Sequence, residues 1–503
     1  MNYSIVRNMI GKIMILVGGF MILPLLVCLI YQERFVNYLS FIIPMCMLIG
    51  IGILFNVKKG SPKMTVKEAF TIVSISWITI SLFGALPLFI SRYYTNFIDA
   101  FFEITSGFTT TGASITSSDT LELLMAHGRS MLFWRSFTHW VGGMGVLVFI
   151  LSIIPESNEG SIVHVLRAES PGPIVERLAT KVKTTSRILY LIYIVLTFLE
   201  IVLLLGGRIF ISGDESMSLF DSVIYSLGTA GTGGFGIRAT SVETYAPYYQ
   251  YVISIFMIIF GVNFSLYYLL LLGKAKEVIK NEELLVYLSI IVVAVVLITI
   301  NTRSVYSTFE ETFRKSLFQT TTAISTTGYS TTNFNTWPTL SKTILAFLMV
   351  IGSCAGSTAG GAKVSRLIIL VKSSLQRVRQ LSNPRKVTIL KLNGQKLSNE
   401  TTNSVFAFFI LYLLILGLSS LLISIDGYSL ETNFSASLAC LSNIGPGFDM
   451  VGPYGSYASF SYFSKIVLSL VMIFGRLEIF PLMFIFNYHN YQNRFKKAQL
   501  SVQ

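Results

Sequence analysis

Residues 106–114 read SGFTTTGAS, and this short polar stretch is one of four. Aligned on a single glycine, the set is Thr110-Thr111-Gly112-Ala113-Ser114, Thr232-Gly233-Gly234-Phe235-Gly236, Thr326-Thr327-Gly328-Tyr329-Ser330 and Asn443-Ile444-Gly445-Pro446-Gly447. Each closes a segment that starts apolar and is too short to cross a bilayer, at 99–109, 221–231, 313–325 and 431–442. Such a segment predicts a half-helix, and each lies between two longer apolar runs. Recurrence at the same place in every unit marks an internal repeat, which decides the architecture before any single motif does.

Working outward, ten runs approach the roughly 20 apolar residues that a membrane-crossing helix needs. They lie at 11–31, 35–55, 66–91, 130–154, 186–207, 248–273, 281–301, 340–362, 404–424 and 458–486. The expected fold is therefore an all-α integral membrane protein. Two N-terminal spans precede four helix–half-helix–helix repeats around one central pore. The expected boundaries are 1–60 for the N-terminal pair, then 61–157, 158–274, 275–400 and 401–503 for the repeats.

Composition agrees. Of the 503 residues, 52% are hydrophobic and 13% charged, against about 25% charged in a soluble domain. The net charge of +13 does not indicate nucleic acid, because polytopic membrane proteins concentrate Lys and Arg in their cytoplasmic loops. With the N-terminus inside, most of the Lys and Arg fall on one side. They include Lys58, Lys59, Lys63 and Lys67, the set from Arg167 to Arg187, the set from Lys363 to Lys396, and Arg494, Lys496 and Lys497. Both termini are expected to be cytoplasmic. Cys28, Cys46, Cys354 and Cys440 all sit in apolar runs, so no disulfide framework is expected. The first run is long enough to span and is followed at once by a second, unlike a signal peptide.

The four strips imply cation chemistry. Non-helical backbone is tolerated at membrane depth only where it is buried in protein or lines a water-filled path. Four such segments on one axis would place rings of carbonyl oxygens around a pore, and those oxygens replace the water of a dehydrated cation. Glycine permits the left-handed backbone this needs, and each half-helix would aim its negative C-terminal end at the ion. Thr110, Thr326 and Thr327 would add hydroxyls.

With these residues in view, the chain resembles the Trk/Ktr/HKT superfamily of potassium transporters, in its TrkH-type membrane-subunit form. The resemblance rests on the four strips, HWVGGMGVLV at 139–148, RAESPGP at 167–173, GSTAGGAK at 356–363, NIGPG at 443–447 and GRLEIFP at 475–481. In that family, glycine in all four strips goes with K⁺, and serine in the first strip with Na⁺. Gly112, Gly234, Gly328 and Gly445 therefore imply K⁺ as the transported ion. The resemblance implies K⁺ bound by Thr110, Thr111, Gly112, Thr232, Gly233, Gly234, Thr326, Thr327, Gly328, Asn443, Ile444 and Gly445. It also implies a homodimer in a prokaryotic plasma membrane, on a cytosolic nucleotide-binding regulatory subunit of the TrkA type. No organic cofactor, no nucleotide fold and no enzyme activity are expected on this chain. The fourth strip, Asn443-Ile444, lacks the threonine of the first and third, so its ring position is expected to be asymmetric.

Other residues follow. The glycine-rich stretch 352–363 interrupts the eighth run, and each glycine in a helix costs about 1 kcal/mol relative to alanine. It reads either as a small-residue packing face or as a gating loop of Gly356, Ser357, Thr358, Ala359, Gly360, Gly361 and Lys363; the resemblance favours the gate. A phosphate loop is excluded, since Ala362-Lys363 follows where Lys-Ser/Thr is required. Arg476 in the tenth run reads as a pore charge or as a structural ion-pair partner, and Glu478, two residues on, faces another direction. Glu103 is expected to hold hydroxyl or amide partners behind the first strip. Arg135 reads as structural, and Glu200 as a proton site or a packing residue. Asp99, Asp221 and Glu431 are expected to cap the half-helices. The basic segment 364–403 reads as lying at lipid headgroups or as a docking surface. K⁺/H⁺ or K⁺/Na⁺ symport through the same strips, and a non-transporting sensor, stay open as alternatives.

Overall fold

The computed structural model describes residues 2–56, 65–145, 182–382 and 389–486. These are helical almost throughout. The only strands among them, Lys391–Leu392 and Gln395–Lys396, form one small antiparallel hairpin. Helices Tyr3–Phe20 and Phe35–Asn56 pack through glycines: a Cβ on Gly11 would lie 2.8 Å from Gly52 O, and one on Gly52 2.7 Å from Gly11 O. This pair stands outside the repeats but is anchored to the first of them. The Glu33 carboxylate accepts Ser130 N–H at 2.7 Å and Ser130 Oγ at 2.6 Å.

Four units of the same plan follow. The first has Val66–Gly84, the half-helix Phe97–Phe108 and Arg129–Gly143. The second has Val182–Gly206, Leu219–Gly231 and Pro247–Gly261. Glu282–Asn301, Phe309–Ile324 and Thr339–Ile351 make the third, and Asn399–Ile423, Leu430–Leu441 and Tyr462–Arg476 the fourth.

Each half-helix opens on a short polar N-cap. Asn96, Ser218, Thr308 and Ser429 accept the N–H of Ile98, Asp221, Glu311 and Thr432. The expected acidic caps thus stand two or three residues inside the true N-caps. Asp221 completes a capping box with Ser218, whereas Asp99 pairs with Lys465 at 2.7 Å and Glu431 stands 3.9 Å from Lys342. A carboxylate in the first turn still meets the positive end of the helix dipole.

The continuity of the spans differs from the sequence reading. Six described helices are long and apolar enough to cross a bilayer unbroken. The run at 248–273 bends by 88° between Pro247–Gly261 and Phe264–Leu271. The run at 340–362 gives Thr339–Ile351 and then irregular backbone, and that at 458–486 turns between Arg476 and Phe480. For the run at 130–154 the helix ends at Gly143, and residues 146–154 lie outside the described set, as do 167–173. In every repeat, then, the second helix stops at one level, just past the strips. Apolarity alone cannot show such breaks, because the freed backbone groups find partners far along the chain.

Burial is inverted relative to a soluble domain. Phe198, Val292 and Leu413 are more than half exposed, whereas Thr105, Ser106, Thr109, Thr321 and Ser437 are fully buried near the axis. An apolar exterior around a polar interior is what lipid demands.

Candidate functional site

All four half-helices end in the same turn. Thr110 N–H donates to Gly107 O and Thr111 N–H to Ser106 O; the corresponding pairs are Thr232 to Thr229 with Gly233 to Gly228, Thr326 to Ala323 with Thr327 to Thr322, and Asn443 to Cys440 with Ile444 to Ala439. This is the paired hydrogen bonding of a Schellman cap, whose pivot residue is left-handed and usually glycine. Here the pivots are three threonines and an asparagine, with φ of +55°, +54°, +54° and +54°. Left-handed backbone costs a non-glycine residue roughly 1–2 kcal/mol. The side chains offset it with contacts a glycine cannot make. Thr326 Oγ1 accepts Gly360 N–H at 2.6 Å, and Thr110 Oγ1 accepts Arg476 Nη1 at 3.3 Å. Asn443 Nδ2 donates to Thr111 Oγ1 and to Met472 O, both at 2.9 Å.

Two residues after each pivot stands the aligned glycine, with φ of +79° at Gly112, +82° at Gly234, +88° at Gly328 and +94° at Gly445. Their surroundings close a circle. A Cβ on Gly112 would lie 2.0 Å from Gly233 O, one on Gly234 2.0 Å from Thr327 O, and one on Gly328 2.0 Å from Ile444 O. A Cβ on Gly445 would lie 2.7 Å from Thr111 O. The strips therefore touch in chain order, and the fourth returns to the first. Eight of the twelve strip residues named from the sequence make these contacts, and the other four, Thr110, Thr232, Thr326 and Asn443, are the left-handed pivots directly before them. On one side it opens into a cavity of about 310 Å³, lined by all four glycines together with Ser114, Arg135 and Arg238. In the neighbouring loop, the Ser429 and Thr432 hydroxyls donate to Asp449 at 2.6 and 2.8 Å and hold its carboxyl below the usual carboxylate range.

Behind the first strip, Glu103 is fully buried. It accepts Ser114 Oγ at 2.8 Å, Ile115 N–H at 2.9 Å and Thr116 Oγ1 at 2.9 Å, and pairs with Arg135 at 2.5 Å. The Arg135 guanidinium lies 4.2 Å from the ring of Phe235, on which His139 also stacks. One helix face thus braces two adjacent strips. The sequence named Glu103 and Arg135 but not their pairing, since 32 positions separate them. Removing one partner of a buried pair is far more damaging than replacing both. Glu103→Ala is expected to lose about 3–5 kcal/mol, read as a fall in thermal unfolding midpoint in detergent. Glu103→Leu with Arg135→Met should lose less than Glu103→Ala alone.

Beneath the ring lies the stretch 352–363. Its ends are joined by Ala362 N–H to Val350 O, Lys363 N–H to Ile351 O and Val364 N–H to Ser353 O. Gly352 and Gly361, at φ of +69° and +73°, cross in near contact: a Cβ on Gly361 would lie 2.7 Å from Gly352 Cα. The loop between them reaches the third strip, the base of the fourth and the helix Pro247–Gly261. Gly361 N–H donates to Ser442 O at 3.0 Å, Thr358 Oγ1 to Phe260 O at 3.4 Å, and Gly360 N–H to Thr326 as above. Ser357 Oγ donates to Cys354 O at 2.7 Å, and Lys363 Nζ to Ala359 O. Gly356 O accepts Phe264 N–H, and Gly261 O accepts Cys354 N–H; these bonds satisfy the backbone freed at the 88° bend.

Arg476 joins the parts. It donates to Thr358 O at 2.9 Å, Gly142 O at 2.5 Å and Gly143 O at 2.7 Å, besides Thr110. The three carbonyls lie at a helix C-terminus and on the loop, while Glu478 pairs with Arg366. A cation at the negative end of a helix is favourably placed. Among the described residues no group of three or more His, Cys, Asp or Glu could hold a metal ion. What the site offers a cation is backbone carbonyl and hydroxyl oxygen.

Comparison with known proteins agrees with this geometry. A family model described as TrkH, a cation transport protein, matches residues 36–497. The potassium uptake protein TrkH of Escherichia coli K12 is 32% identical over 493 residues, covering 97% of this chain and 99% of that protein. TrkG of the same organism is 31% identical over 498 residues. The crystal structure of the potassium transporter TrkH from Vibrio parahaemolyticus superposes with a TM-score of 0.85 at 27% identity, covering 97% of this chain and 99% of that one. A continuous match of this extent, on a helical bundle whose four repeats meet in one ring, leaves a single assignment: the chain belongs to the TrkH family of cation transport proteins and is a transporter, not an enzyme.

Proposed function

We propose that this protein takes up K⁺ across a prokaryotic plasma membrane, through a selectivity filter formed by the four strips. The observation that carries the reading is the closed ring, in which the glycines leave room for no side chain and the carbonyls of Thr111, Gly233, Thr327 and Ile444 stand against the neighbouring strip. Carbonyl rings of this kind compensate a dehydrated alkali cation. The names of the relatives, potassium uptake proteins, support the choice of ion. The cavity beside the ring is the outer mouth and both termini are cytoplasmic, as the Lys and Arg bias indicates. On this reading the N-terminal pair runs over 1–60 and the repeats over 61–157, 158–274, 275–400 and 401–503.

The loop 352–363 is the gate, closed here by Arg476 and Thr326, and Arg476 adds a positive charge to the inner path. A second copy of the chain and a nucleotide-binding partner of the TrkA type complete the transporter, with the basic helix Val364–Ser382 facing that partner. A membrane potential of 100 mV supplies about 2.3 kcal/mol per charge, enough for roughly 50-fold accumulation without a second ion.

Proton symport has one observation in its favour. Glu200 is fully buried beside Thr229, and among the described residues neither carboxylate oxygen makes a hydrogen bond. The test is ⁸⁶Rb⁺ uptake into proteoliposomes, competed by K⁺ and by Na⁺, with and without an imposed pH gradient. Potential-driven uptake blocked by K⁺ alone, and indifferent to the pH gradient, is the expected result. Uptake that follows the pH gradient and loses that dependence in Glu200→Gln would establish symport instead. No uptake even with the regulatory subunit added would overturn the transport reading.

A further inference from the structure

We propose that Glu283 is the positioning residue of the gate, a post that holds both stems of the intramembrane loop in the closed arrangement. This inference rests on reading 352–363 as the gate.

Glu283 lies in the first turn of Glu282–Asn301 and is 5% exposed. Ala355 and Ser365 lie 72 and 82 positions further along the chain, yet one oxygen of Glu283 accepts both N–H groups of the loop's stems. Oε1 takes Ala355 N–H at 2.7 Å, just before the loop apex, and Ser365 N–H at 3.1 Å, just after it. Both donors belong to irregular backbone or a helix start, where no helical partner exists for them. A carboxylate is the strongest acceptor a protein can supply there. The geometry makes closure a property of one side chain. With Ala355 and Ser365 pinned to the same atom, the residues between them form a loop of fixed mouth, which seats against Thr326, Ser442 and Arg476. If the stems part, one or both N–H groups lose their acceptor.

The N-terminal position adds a second effect. Glu283 follows the cap residue Asn281, which holds Leu284 N–H at 3.0 Å. The helix dipole favours negative charge at this end, so the carboxylate is fixed from its own helix as well as from the loop. The third repeat thereby supplies the gate from its second helix and the post that holds it from its first.

Glu283→Ala removes the acceptor, and Glu283→Gln keeps an oxygen but not the charge. Loss of one charge-assisted hydrogen bond shifts an equilibrium by about ten-fold or more. In proteoliposomes without the regulatory partner, Glu283→Ala is expected to raise basal ⁸⁶Rb⁺ flux about ten-fold, with the Rb⁺ to Na⁺ ratio unchanged, and Glu283→Gln to raise it less. A second readout does not use transport. Cys354 is buried within the stem. With Cys28, Cys46 and Cys440 replaced by alanine, its modification by a membrane-impermeant thiol reagent from the cytoplasmic side should quicken in Glu283→Ala and, to a smaller but measurable extent, in Glu283→Gln. Unchanged flux together with unchanged Cys354 reactivity in both variants would overturn the proposal. Deleting 356–361 separates the two readings. If the deletion raises flux and Glu283→Ala does not, the gate stands and the post falls; if neither raises flux, both fall. If Glu283→Ala does not assemble, Glu283→Gln alone decides, since it retains the shape and must still quicken Cys354.

Discussion

Gly112→Ser is expected to remove most of the discrimination between K⁺ and Na⁺, while the protein remains folded and inserted. The new Cβ would lie 2.0 Å from Gly233 O, and the backbone there has φ of +79°. Something must move, and the atom in the way is a ring carbonyl, not the tip of a flexible side chain. The first and second strips must separate, and the oxygens offered to a bare K⁺ no longer match the shell it has lost. Na⁺, which keeps more of its water in a widened ring, then competes. A ten-fold fall in selectivity corresponds to about 1.4 kcal/mol, a modest share of what moving one carbonyl in a low-dielectric site can change. We therefore expect the K⁺ to Na⁺ ratio to fall ten-fold or more, measured by competition against ⁸⁶Rb⁺ uptake. Gly236→Ala is the control. Its Cβ would meet nothing closer than 3.4 Å and its φ is not left-handed, so selectivity should stay native. A native ratio in Gly112→Ser would disprove the carbonyl filter.

The second large effect is expected at Arg476. Arg476→Gln loses the guanidinium fork that ties Thr358 O to Gly142 O and Gly143 O, and removes a positive charge beneath the ring. Two unit charges about 7 Å apart repel by about 2 kcal/mol at an effective dielectric constant near 20. Removing that repulsion from a permeating ion is worth about 30-fold in rate, and releasing the loop adds to it. Arg476→Lys separates the two contributions, because lysine keeps the charge but is a point donor without a fork. Flux should rise strongly in Arg476→Gln and only part of the way in Arg476→Lys. Lower flux in Arg476→Gln with native selectivity would make the arginine a support of the pore wall.

Much of this arrangement is legible in the sequence because it is repeated. Four glycines at one register, each after a half-helix bounded by polar residues, identify the strips without any knowledge of contacts. The helix breaks are not legible, and for a physical reason. Residues 248–273 are apolar on both sides of the 88° bend and contain no proline after the first turn. The bend is stabilised by Cys354 and Gly356, about 90 positions away. Ten apolar runs consequently read as ten unbroken spans, where among the described residues six helices are long and apolar enough to cross without a break. The left-handed threonines at Thr110, Thr232 and Thr326 run against residue preference, as residues held by tertiary contacts at functional sites commonly do. Arg476 invites a carboxylate partner, yet it donates to backbone carbonyls of Gly142, Gly143 and Thr358, which carry no sequence signal. Glu283 reads as an ordinary first-turn acid until the loop folds back onto it.

The ring also constrains how the protein is made. Its last contact joins Asn443 to Thr111, 332 positions apart. A ribosome adding about 5–20 residues per second completes the first strip many seconds before its final partner exists. Contacts of such long range form late and slowly. Until then the three earlier strips line an open groove rather than an encircled passage. A chain cut short before the fourth repeat therefore cannot close the ring, so encirclement, the step that on the proposed reading completes the filter, waits for nearly the whole polypeptide.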